Sequence, residues 1–168
     1  MNELTLRNRH RRRRVDLRLL RRVVLAAMTE APVRRPGASA PRHLLGIHLM
    51  EARDMAALNE THLGHPGCTD VITFDYGAPE SAAPGEDWLR GDLFICLDEA
   101  RRQGREFGAP WQTELTRYVV HGLLHLRGLD DHAPAARRAM KRAEERVLRR
   151  LADRLVLSRL GSASKVRP

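Results

Sequence analysis

His121 and His125 stand four residues apart in the run HGLLHLRGLDDH, which spans positions 121–132. On a helix that spacing sends both rings off one face about one turn apart, where two imidazole nitrogens can hold a single cation. Gly128 follows and permits a sharp reversal of the chain. Asp130, Asp131 and His132 come directly after it with oxygen and nitrogen donors. Two helical histidines alone are as readily satisfied or exposed side chains. Set on an otherwise apolar helix, with a donor cluster returned by a glycine bend, they point instead to metal. Three protein ligands with one position left for water describe a catalytic zinc site, with Asp131 and His132 both candidates for the third ligand. Many zinc peptidases carry Glu directly after the first histidine as general base. Here that residue is Gly122, which moves no proton, so peptide hydrolysis is disfavoured.

The surrounding pattern predicts the elements that position this run. Trp111–Arg127 carries a broad apolar face (Leu115, Tyr118, Val119, Leu123, Leu126) and reads as a central buried helix, with Gly128 as its left-handed C-terminal residue. Leu4–Asn8, His43–Met50 and Val71–Tyr76 alternate or are rich in β-branched and aromatic residues, as strands do. Leu93–Leu97 is an almost unbroken apolar run, expected of a strand buried on both faces. Helices are predicted over Val15–Met28, Glu51–His62, Asp98–Phe107 and Ala135–Leu157. Loops fall at Pro32–Pro41, Gly64–Cys68 and Gly77–Asp87. Interspersed strands and helices define an α/β or α+β class in one domain, residues 1–160, with 161–168 as a fraying tail.

Composition bounds the function. At 168 residues with 42% hydrophobic and 30% charged residues, the chain supports one packed domain. No apolar run is long enough to span a membrane and no secretory leader is recognisable, so a cytoplasmic, soluble protein is expected. Cys68 and Cys96 cannot build a disulfide framework; Cys96 is expected buried and inert, Cys68 a small loop residue. Lys and Arg outnumber Asp and Glu by 30 to 21, and all but Lys141 and Lys165 of those bases are arginine. The excess lies in Arg7–Arg22 and Arg137–Arg167. Arginine forks suit phosphate, so a polyanion is a plausible partner, while 4% aromatic residues argue against base stacking as the main mode.

The run 121–132 resembles the signature of the YbeY endoribonucleases, the rRNA maturation factors, through His121, Gly122, Leu124, His125, Leu126, Gly128 and Asp130. Two further blocks agree: Leu58-Asn59, Gly64 and Thr69-Asp70-Val71-Ile72-Thr73-Phe74, then Gly91-Asp92-Leu93-Phe94-Ile95-Cys96. The resemblance covers residues 4–157. It implies a zincin-like fold, a small mixed sheet packed with helices, and a metal-binding central helix. It also implies one Zn2+ per chain and metal-dependent cleavage of single-stranded RNA, in rRNA maturation (16S rRNA 3′-end processing) and ribosome quality control. The implied partners are single-stranded RNA or rRNA and the ribosome or ribosomal proteins. His121 and His125 would act through the metal and its water, with no general base identified. Two positions depart from the family pattern. The third histidine of the family falls at Asp131, with His132 one residue later; imidazole chemistry favours His132, ungapped spacing Asp131, and His132 is preferred. Leu63 stands where the family carries an arginine, which keeps open a non-catalytic ribosome-assembly or RNA-binding protein with a structural metal. Asn59 is read as a turn residue, Thr69 and Asp70 as turn-capping or cleft residues, and Gly91-Asp92 as a tight lead-in to a strand. His43, His48, His62 and His65 lack ligand spacing and are read as structural or surface residues.

Overall fold

Leu4 and Leu6 alternate with Glu3, Thr5 and Arg7, which lets a strand bury one edge row and leave the other to solvent. The computed structural model, which describes residues 2–31 and 42–161, forms that strand as β1 (Glu3–Asn8). The order continues α1 (Leu17–Glu30), β2 (Arg42–Met50), α2 (Ala52–Leu63), β3 (Val71–Asp75) and β4 (Trp88–Cys96). It closes with α3 (Leu97–Glu106), α4 (Trp111–Leu126), α5 (Pro134–Arg154) and a short 3-10 turn at Leu157–Gly161. The expected loop at Pro32–Pro41 and residues 162–168 of the expected tail lie outside the described residues.

The strands make one mixed sheet in the order β1-β2-β4-β3, parallel except for the antiparallel β3–β4 pair. The fold class is therefore the α+β arrangement of a small mixed sheet with packed helices. Helix α1 supplies the crossover that two parallel neighbours require. Its start is fixed by Asp16, whose carboxylate accepts from the N–H groups of Arg18 and Leu19 at 3.0 Å. Its stripe Leu19, Leu20, Val23, Val24, Ala27 and Met28 is buried against the sheet and α4. Helix α4 is buried nearly all round, ten of its sixteen residues being inaccessible, so it is the central helix of the main core. On the opposite face of the sheet, α2 packs Met55 onto Ile72 and Cys96 as a second, smaller core.

Several boundaries differ from expectation. Strand β4 begins at Trp88 and alternates, burying Leu89, Gly91, Leu93 and Ile95 toward the helices; Phe94 faces the other way and is only half-buried. Leu97 opens α3 rather than closing the strand. Gly91 and Asp92 lie mid-strand, not at its start: a Cβ on Gly91 would collide with the backbone carbonyl of Phe74. Helix α5 ends at Arg154, and the chain turns back so that Gly161, exposed to solvent, lies beside the Trp111 ring. No helix among the described residues is long and apolar enough to cross a membrane.

Candidate metal centre

The approach of α4 to the sheet depends on Gly122. A Cβ there would lie 2.5 Å from Leu93 Cδ2 and 3.1 Å from Thr73 Oγ1. The helix meets the sheet at that residue, and its neighbours His121 and His125 fall on the flank left half-open. No larger side chain fits at 122, so the position excludes a glutamate base on steric as well as chemical grounds.

The helix ends in a Schellman turn. The Gly128 N–H donates to His125 O at 2.7 Å, and the Leu129 N–H donates to Leu124 O at 3.0 Å. Gly128 takes φ of 84°, a left-handed conformation that a side chain would strain. The reversed chain then brings Asp131 back over the histidine pair. Its carboxylate lies 3.7 Å from His121 Nε2 and 4.0 Å from His125 Nε2. His132 is not brought to the pair: its side chain is 91% exposed, with Nε2 3.5 Å from Asp130. Asp130 itself accepts from the N–H groups of Asp131 and His132 and so shapes the return. The trajectory turns residue 131 toward the pair and residue 132 to solvent, which favours Asp131 over His132 as the third donor.

The two rings are oriented from behind. His121 Nδ1 donates to the Glu144 carboxylate of α5, and His125 Nδ1 donates to Leu129 O at 3.0 Å. With both Nδ1 atoms engaged, the two Nε2 atoms face each other at 2.9 Å. A proton shared between them, or a metal ion that displaces it, satisfies two nitrogens so placed. Two donors about 2.05 Å from a tetrahedral zinc sit about 3.3 Å apart, and the separations of 2.9, 3.7 and 4.0 Å bracket that value. The donor set of two imidazoles and a carboxylate, with each imidazole held through its other nitrogen, fits zinc or a similar divalent ion.

The two rings differ electrostatically. Burial disfavours a charged His121, but the Glu144 hydrogen bond and charge outweigh it, with Asp70 and Asp131 adding, and its pKa is raised. For His125, burial and then the neighbouring His121 hold the pKa down. Arg117 steadies the acid behind the pair, its guanidinium lying 2.7 Å from Glu145, 3.6 Å from Glu114 and 3.7 Å from Glu144. The mouth is lined by His121, Asp131, Arg137, Lys141, Glu144 and Glu145 among others, in a cleft of about 480 Å3.

Glu144 and Arg117 were not singled out from the sequence. A signal existed for Glu144: it lies in the buried stripe Met140, Ala143, Glu144, Val147, Leu148, Leu151, an acid where only apolar side chains are expected. The remaining expected positions fall elsewhere. Asn59 is buried and donates to Gly67 O at 2.9 Å, a turn role. Asp70 accepts from Val71 N–H and from Thr69 Oγ1, capping the start of β3. Leu63 ends α2 and is 50% exposed. His48 lies 3.2 Å from Asp92 on the outer face of the sheet, and His62 sits edge-on to Phe74. Cys96 is buried as expected, with the thiol of Cys68 only 3.2 Å away.

Fold and site together define a class: a small α+β domain with a histidine pair on its central helix and a carboxylate folded back over it. The family model described as Endoribonuclease YbeY matches residues 5–152, and the chain belongs to that family. Endoribonuclease YbeY of Bacteroides thetaiotaomicron is 44% identical over 91 residues, 54% of this chain and 61% of that protein. The Chlorobium luteolum protein of the same name is 34% identical over 142 residues, covering 83% of this chain and 92% of the relative. The aligned stretch thus spans about three fifths of the Bacteroides relative and nearly all of the Chlorobium one. The solution structure of TM1509 from Thermotoga maritima shares the fold, with a TM-score of 0.54 and 19% identity across 99% of each chain.

Proposed function

We propose that the protein is a metal-dependent endoribonuclease. In this reading His121, His125 and Asp131 hold one zinc ion, which when bound supplies Lewis-acid activation at a phosphodiester. The observation that carries it is the pair of Nε2 atoms facing each other at 2.9 Å with both Nδ1 positions engaged. Glu144 and Leu129 O engage each Nδ1, so zinc would take the two Nε2 atoms and displace any proton held there. Arg137 and Lys141, at the mouth of the cleft, are placed to draw in a phosphate backbone. The family supports RNA as the substrate, and rRNA maturation at the 3′ end of 16S rRNA, on the ribosome, is the finer role that we infer from it.

Cleavage of a single-stranded rRNA precursor fragment by chelated and by zinc-restored protein tests this reading. Zinc should restore cutting to the parent but not to His121→Ala or His125→Ala. Full cleavage by the metal-free double variant refutes it. Leu63 favours a second reading, since its exposed apolar side chain offers no charge where the resemblance expects an arginine. In that case the protein binds rRNA and retains zinc without cutting, and the same assay separates the two.

A further inference from the structure

Arg12, Arg13 and Arg14, between β1 and α1, meet Arg101 of α3 around a groove of about 520 Å3 that Trp111 and Gln112 also line. Among the described residues, no carboxylate lines this groove. The Arg101 guanidinium lies 5.5 Å from the centre of the Trp111 ring, and its buried Nε–H has no hydrogen-bond partner among the described residues. Burial, then the charges of Arg13 and Arg105, hold Arg101 below the usual arginine range; Asp98 pulls the other way. Asp98 is itself engaged, accepting from Ala52 N–H at 2.9 Å and lying 3.0 Å from His10 Nε2. His10 also fixes the arginine segment, its Nδ1 accepting from the N–H groups of Arg12 and Arg13 at 3.3 and 3.2 Å.

A guanidinium with a buried, orphaned donor faces three more positive charges, and the acid nearby, Asp98, is already engaged by His10 and Ala52. We propose that the groove is a phosphate-binding site, with Arg101 and Arg13 as its principal ligands and the Trp111 ring behind Arg101. Several forks converging on one space suit a phosphate group better than a single carboxylate. The site is separate from the metal centre: Trp111 and His121 are ten residues apart on α4, about 15 Å along its axis. The phosphate comes either from a free anion or from a nucleic-acid backbone, and the proposal does not depend on RNA cleavage.

Trp111 provides the readout, because Trp88→Phe leaves it as the sole indole. In zinc-loaded Trp88→Phe protein, inorganic phosphate should shift the emission saturably. Adding Arg101→Gln should weaken phosphate binding at least tenfold and Arg13→Gln severalfold, while Arg149→Gln on exposed α5 leaves it unchanged. Arg13 is an exposed loop residue, so its variant separates loss of binding from loss of folding. A 2′-O-methyl oligouridylate is then added. Competition with phosphate assigns the site to a nucleic-acid backbone and its absence assigns the site to a free anion; both outcomes uphold it. No saturable shift in the parent, or Arg101→Gln and Arg13→Gln both within twofold of it, overturns the proposal. Protein that cuts no RNA but binds phosphate here would refute the nuclease reading alone.

Discussion

One hydrogen on each ring decides what the histidine pair can do. Glu144 and Leu129 O engage the rings at Nδ1, and in the proposed reading this reserves both Nε2 atoms for a cation. Glu144→Gln should therefore weaken zinc binding about 10–100-fold, measured by competition with a chelating dye, without removing a ligand. The histidine pair was legible from its spacing alone. The third ligand was not, because the choice between residues 131 and 132 turns on a backbone trajectory set by the Schellman turn and by Asp130. Asp98 carries a separate prediction. Burial pushes its carboxyl up, but hydrogen bonds from His10 and Ala52 N–H outweigh this and the pKa is lowered from 3.8. A depressed folded-state value means its stabilisation is complete above the unfolded pKa and is lost as pH falls through the folded one. The gap in Tm between the parent and Asp98→Asn should be full above the ordinary carboxylate range and close as pH falls below it.

At the scale of elements, the metal helix is held by close contacts at its middle and its end. Gly122 allows contact with Leu93, so Gly122→Ala should destabilise the protein by about 1–3 kcal/mol through overpacking, measured by urea denaturation. At the C-terminal end of α4, Arg127 pairs with Asp87 in a buried ion pair and also donates to Met28 O at 3.3 Å. Removing one partner leaves the other charge buried, so Asp87→Ala should cost about 3–5 kcal/mol in the same measurement. Helix positions were readable because their apolar stripes are long and Asp16, Gly64 and Gly128 punctuate them. The start of β4 was not: Trp88-Leu89-Arg90 has no apolar run, and it is a strand because β2 pairs with it from Arg42 onward. Such pairing is tertiary and leaves little trace in the local sequence.

Across the whole molecule the formal net charge is +9, and bases gather both on the α5 face (Arg138, Lys141, Arg142, Arg146, Arg149) and in the arginine groove at the other end of α4. Clustering at both chain ends was visible in the sequence, but convergence of Arg12–Arg14 with Arg101 was not, since 87 or more residues separate them. A polyanion spanning these regions would release counterions, so RNA binding should weaken steeply with salt, with a log–log slope reduced by about one for each phosphate-contacting arginine removed. The nuclease reading presupposes that the His121–His125–Asp131 cluster holds an ion. Calorimetric titration of the metal-free chain with zinc tests that most directly. One ion should bind per chain, be lost in His121→Ala, His125→Ala and Asp131→Ala, and be kept in His132→Ala. Absence of zinc binding in the parent, or its loss in His132→Ala but not in Asp131→Ala, would contradict the site.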